Sequence, residues 1–225
     1  MKKLSAFDMI GPVMTGPSSS HTAGALRIAL IASRILKETV VSVDFLLYGS
    51  FSDTYKGHGT DRALVAGIMG LPPDDPGVRS SLEKAAEKGI QVSFSTHALE
   101  PQMHPNTVAL KAVGTSGRTL QLEGASIGGG EVVINRINGI EVCFTGEYPT
   151  LIIQQQDRPG IAAHITSQLA GAGINIGTMR MYRHDKGNAA FTILETDEPV
   201  AVSIIEAIGS HPAITDVFLI AFDAS

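Results

Sequence analysis

Beyond Pro149 the apolar residues fall into short runs whose periodicity changes in a fixed order: strand, helix, strand, strand, helix, strand. Thr150–Gln156 is apolar and extended. Asp157-Arg158-Pro159-Gly160 turns the chain into a helix that runs through Leu169 and is stopped by Gly171 or Gly173. Ile174–Arg183 and Ala189–Glu195 read as a hairpin across His184–Asn188, Val200–Ile208 as a helix, and Ile214–Phe222 as a closing strand. This order is the split β-α-β arrangement of ferredoxin-like folds.

The residues before it follow another pattern. A Gly/Pro/Ser-rich loop, Gly11–Ser20, precedes a helix with Ala25, Ile28, Ala29, Ala32 and Ile35 at helical spacing. Val40–Tyr48 reads as a strand. A second loop, Gly57-His58-Gly59-Thr60-Asp61, leads into a helix that reaches Met69. Asp75-Pro76 opens a third helix ending at Lys88-Gly89, with Pro inside its start and Gly past its end. Strands follow near Gln91–Ser95, Thr107–Val113 and Thr119–Glu123. Glu131–Ile137 and Ile140–Phe144 flank Asn138-Gly139, a two-residue hairpin signal. The expectation is an α+β chain, α/β mixed. Residues 1–147 form a domain of mixed sheet with helices, and residues 148–225 a βαββαβ domain. The boundary falls at the turn-prone Thr145-Gly146-Glu147-Tyr148-Pro149.

Composition narrows the functions available. Apolar residues make up 44% and charged residues 17%, enough for packed cores and against disorder. Tryptophan is absent, aromatics are 5% and the formal net charge is −5 without a basic run, so nucleic acid and anionic membrane are poor partners. The N-terminal Met1-Lys2-Lys3 is broken by Gly11 and Pro12 before a signal-peptide core forms. A single cysteine, Cys143, excludes an internal disulfide and suits a reducing cytoplasm. In its strand-like run it reads as a buried packing residue.

Three motifs carry candidate chemistry. Gly16-Pro17-Ser18-Ser19-Ser20-His21-Thr22-Ala23-Gly24 stands directly before a helix, where free N–H groups and hydroxyls suit a carboxylate or phosphate. Redundant helix capping is the plainer use of the same residues. His58, between Gly57 and Gly59, again stands at a loop-to-helix junction, either as a proton-exchanging group or as an exposed turn histidine capped by Thr60 or Asp61. His104-Pro105-Asn106-Thr107 offers a further imidazole and an amide before a strand, or only a stiff polar turn.

These motifs, with Gly49-Ser50-Phe51, resemble the signature of the β domain of bacterial iron–sulfur L-serine dehydratases over about the first two-thirds of the chain. The remainder, with Asp157–Gly160 and Gly171-Ala172-Gly173-Ile174-Asn175-Ile176, resembles an ACT domain. The combination is similar to the β chain of the two-subunit form. The resemblance implies deamination of L-serine to pyruvate and ammonia by a [4Fe–4S] cluster without pyridoxal phosphate. Such clusters are held by several thiolates, so one cysteine cannot suffice. A cysteine-bearing α chain is the implied partner, no metal ligand is expected in this chain, and catalysis is expected at the interface of the two. Ser18, Ser19, Ser20, His21 and Thr22 then surround the substrate carboxylate and cluster. His58 is the first choice for acid or base, positioned by Thr60 and Asp61, with His21 beside it and His104 and Asn106 as outer members. In the ACT-like part the matching amino-acid site is Asp157, Pro159, Gly160 and Asn175, unless that domain only dimerises. Homodimerisation through the ACT or β domain is expected.

Two other readings stay open on the residues alone. One is a non-catalytic amino-acid-binding regulator, since the first domain is also similar to the serine-handling allosteric domain of some phosphoglycerate dehydrogenases. The other is a pyridoxal-dependent deaminase with its Schiff base on Lys56.

Overall fold

The computed structural model describes residues 14–222. Gly11 and Pro12, on which the signal-peptide argument rests, lie outside the described residues. The chain divides into two compact units between Asn138 and Gly139, although Ile140–Phe144, just past that point, hydrogen-bonds as the last strand of the first sheet.

In the first unit a π-helical turn, Ser19–Gly24, runs directly into α1, Ala25–Leu36. Leu26, Ile28, Ala29, Ile31, Ala32 and Ile35 are buried, because α1 lies across the sheet and against α3. The strands β1 (Val40–Tyr48), β2 (Gln91–His97), β3 (Thr107–Gly114), β4 (Thr119–Gly128), β5 (Glu131–Ile137) and β6 (Ile140–Phe144) form one sheet in the order β2-β1-β3-β4-β5-β6. β1 pairs parallel with β2 and antiparallel with β3. A parallel pair needs a crossover, supplied by α2 (Gly49–Thr54), α3 (Thr60–Ile68), a 3-10 turn (Pro76–Ser80) and α4 (Ser81–Glu87). β5 and β6 are joined at Asn138 (φ 48) and Gly139 (φ 81), the two positive φ angles of the tight turn their sequence predicts.

Three local readings change. The helix expected from Asp75 to Lys88 breaks into the 3-10 turn and α4, because Asp75 caps Gly77 N through Oδ1 at 2.6 Å and winds the start tightly. α2 was not foreseen, being six residues long and without an amphipathic period. Cys143 is exposed, not buried. β6 alternates, with Ile140, Val142 and Phe144 inward, and the period of two turns Cys143 outward.

The second unit contains β7 (Thr150–Gln156), α5 (Ile161–Gly171), β8 (Ile176–Arg183), β9 (Ala189–Thr196), α6 (Val202–Gly209) and β10 (Ile214–Ile220). Its sheet runs β10-β7-β9-β8. Leu151, Ile153 and Leu194 pack against Ile161, Ile165, Leu169 and Ile208 of the two helices. β7 and β8 are both antiparallel to β9, so they run parallel to each other. Gln156 and Arg183 therefore end at one edge of the sheet, and Thr150 and Ile176 begin at the other. Among the described residues no helix is long and apolar enough to cross a membrane.

Candidate active site

The serine-rich motif is a wound turn rather than an open loop. Ser18 has extended backbone, and its Oγ accepts from His21 N at 3.1 Å, so one serine caps the turn. Its carbonyl accepts from Thr22 N at 2.9 Å and Ala23 N at 3.4 Å, the wide winding of a π turn. Ser18, Ser19, Ser20 and His21 remain half-buried.

His21 is the centre of the arrangement. Its Nε2 is hydrogen-bonded to Ser50 Oγ at 2.9 Å. Its ring meets Phe51 edge-on at 5.4 Å and lies 4.8 Å from the ring of His58. Burial, and then the neighbouring His58, hold the His21 imidazole below the ordinary histidine range. A neutral imidazole can accept a proton. His58 is exposed, and its carbonyl accepts from Thr22 Oγ1 at 3.2 Å, tying its loop to the π turn. The fold thus brings two of the three sequence motifs ring to ring.

Thr60 opens α3 behind Gly59, whose φ of 68 glycine reaches without cost. Thr60 is fully buried, and its Oγ1 has no hydrogen-bond partner. Asp61 is engaged locally, its Oδ1 accepting from Arg62 N at 2.8 Å. The third motif reaches the site from the side. Gly49 has φ 51, and a Cβ there would stand 2.7 Å from the Pro105 carbonyl oxygen. The 104–106 loop therefore lies against the residue before Ser50. His104 is exposed, its Nδ1 accepting from Asn106 N at 3.2 Å, and the Asn106 carbonyl accepts from Ser126 N at 3.0 Å. Ser50 is the residue sequence reasoning missed. Its signal was position, two residues past the end of a buried strand in Gly49-Ser50-Phe51.

Lys56 is exposed, its Nζ 5.7 Å from the centre of the Tyr55 ring. Among the described residues no three His, Cys, Asp or Glu side chains converge as metal ligands. One exposed thiol does not make the ligand set of an iron–sulfur cluster, so the residues of this chain do not fit such a group as its holders.

In the second unit Asp157 Oδ2 accepts from Arg183 Nη1 at 2.6 Å and Gly187 N at 3.0 Å. The Gly187 N–H, then Arg183, hold its carboxyl below the usual carboxylate range. Pro159 and Gly160 follow at the start of α5. Asn175 binds Glu198 through its N–H at 2.7 Å and Asp197 through Nδ2 at 2.6 Å. It precedes β8, at the opposite edge of the sheet from Asp157. The four residues are not gathered within one chain.

Fold and site define a two-part protein: an α+β unit with a paired-imidazole, hydroxyl-rich surface, and a ferredoxin-like βαββαβ unit. Residues 5–136 match the family model of the serine dehydratase beta chain, and residues 150–213 that of the ACT domain. The chain belongs to the serine dehydratase beta chain family. It is 41% identical over 208 residues to the L-serine dehydratase beta chain of Peptoniphilus asaccharolyticus, covering 92% of this chain and 94% of that one. It is 38% identical over 221 residues to a probable L-serine dehydratase beta chain of Bacillus subtilis, covering 98% and 100%. A D-3-phosphoglycerate dehydrogenase of Methanocaldococcus jannaschii is 25% identical over 190 residues, covering 84% of this chain and 36% of that enzyme.

Proposed function

We propose that this chain is the β subunit of an L-serine dehydratase, forming pyruvate and ammonia from L-serine together with a cysteine-bearing α chain. The observation that carries the reading is the His21–His58 pair, 4.8 Å apart, with Ser50 on His21 and three serines in the adjoining turn. The family of the relatives supports the substrate.

The hydroxyls of the 18–22 turn hold the substrate carboxylate. An imidazole, His58 first and His21 behind it, takes the α-proton. The β-hydroxyl leaves as water, and the aminoacrylate tautomerises and hydrolyses to pyruvate and ammonia. A [4Fe–4S] cluster belongs in this reading to the α chain, because its thiolates have no source here. The exposure of His58 suits a residue completed by a second polypeptide. Residues 1–147 form the catalytic domain and 148–225 the sensing domain, in a reducing cytoplasm. Because Asp157 and Asn175 stand at opposite sheet edges, the amino-acid site of the sensing domain is completed between two copies.

The test is anaerobic co-expression with candidate α chains, following pyruvate from L-serine. His21→Ala with His58→Ala is expected to cost about 100-fold or more in kcat, the usual scale of lost acid–base catalysis. Undiminished turnover overturns the assignment.

A further inference from the structure

A cavity of about 530 Å³ opens beside the His58 loop. Its walls include Lys56 and His58 before α3, Arg62 in the first turn of α3, Arg79 on the 3-10 turn, and Thr15. Among the described residues no Asp or Glu lines it. Acidic side chains exceed basic ones in this chain, 22 against 17, so three cations around one hollow depart from its general charge. Nearby carboxylates are turned away: Asp61 binds Arg62 N, and Asp75 caps Gly77 N. Among the described residues no carboxylate lies within ion-pair distance of Lys56, Arg62 or Arg79.

Like charges held together without a counter-ion repel, and the arrangement is relieved when an anion enters. One guanidinium suffices for a carboxylate. Two guanidinium forks and an ammonium match the charge and the oxygens of a phosphate. We propose that this cleft, which meets the serine turn at Thr22, is a binding site for a phosphate-bearing small molecule held by Lys56, Arg62 and Arg79. His58 is common to both, lining the cleft while its ring stands 4.8 Å from His21. An anion there favours the protonated imidazole and couples the cleft to the acid–base pair.

The inference needs no turnover, so it is tested on the full chain without an α chain, apart from the dehydratase reading. Calorimetry compares inorganic phosphate with acetate in chloride buffers of matched ionic strength, and NMR follows the His58 ring signals as each anion is added. Phosphate is expected to bind at least about tenfold more tightly than acetate, and to shift the His58 ring signals as it binds. Arg79→Gln, an exposed position, is expected to weaken phosphate about tenfold. Lys56→Gln, on a separate segment, is the second variant and is expected to act in the same direction. Equal binding of acetate and phosphate, binding of neither, or unchanged affinity in a folded Arg79→Gln or Lys56→Gln chain overturns the proposal.

Discussion

His21 Nε2 and Ser50 Oγ, 29 positions apart in sequence, meet at 2.9 Å. The bond ties the π turn to the first turn of α2, where the Ser50 carbonyl accepts from Thr54 Oγ1 at 2.7 Å. Ser50 fixes which face His21 presents toward His58, so it acts as a positioning residue. Ser50→Ala is expected to lower kcat about tenfold with KM less affected, the scale of one lost hydrogen bond. The limb of the pH–rate profile that reports His21 is expected to shift, and Ser50→Thr to restore most of the rate. An unchanged pH profile would leave Ser50 merely structural.

The His21 imidazole gives a second prediction, with a definite sign. Its folded pKa lies below the ordinary 6.5. Between the folded value and 6.5 the unfolded chain binds more protons than the folded one, so stability rises with pH across that window. The contribution is complete above the ordinary value and is lost as pH falls through the folded one. Urea midpoints over mildly acidic pH are expected to fall on acidification, with a shallower slope in His21→Gln. In His58→Ala the NMR titration of His21 is expected to move up only part of the way, because burial is the larger cause. No movement at all would refute the ring-to-ring coupling.

The second unit was legible almost strand by strand, because each apolar run has its own period and is bounded by Gly, Pro or Asp. The first unit was less so. α2 hides in a polar six-residue stretch with no period, and it carries Ser50. The approach of the His21 and His58 loops depends on α1 packing against α3, a long-range contact that no local pattern encodes. Residue type favours burying Cys143, whereas its strand alternates and puts it outside. The separation of Asp157 from Asn175 follows only from register.

Thr60 separates packing from function. Its hydroxyl is buried and unpartnered, which costs free energy. Thr60→Val keeps the volume and is expected to leave the chain as stable, or more stable by about 1 kcal/mol. In the assembled enzyme the same change is expected to reduce kcat/KM, because the hydroxyl is held for substrate or for the His58 loop. A stabilised variant with full activity would reduce Thr60 to core filling.

Gly49→Ala tests the third motif. At φ 51 an alanine is strained, and its Cβ would press on the Pro105 carbonyl. The expected loss is about 2–4 kcal/mol, combining left-handed strain with a forced backbone shift. Ser50 follows Gly49 directly, so activity is expected to fall further than at a destabilising site of equal cost elsewhere. Denaturant melts beside kinetics at low temperature, where the variant stays folded, separate the two effects. Full activity in the folded variant would show that the 104–106 loop does not place Ser50.

The ACT domain offers a test that distinguishes one chain from two. If Asp157 and Asn175 serve one L-serine across a dimer, Asp157→Ala and Asn175→Ala homodimers both lose the site. A mixed dimer has one interface with both substitutions and one with neither. It is expected to bind about one L-serine per two chains, half the wild-type stoichiometry. A site built within each chain, against the register of β7 and β8, would be broken in every subunit of the mixture and would bind none. Calorimetry on tagged, purified mixed dimers reads the difference. Asp157→Ala also frees Arg183 and Gly187 N, so Asp157→Asn, which keeps an acceptor for both, is the control that holds the β8–β9 turn in place.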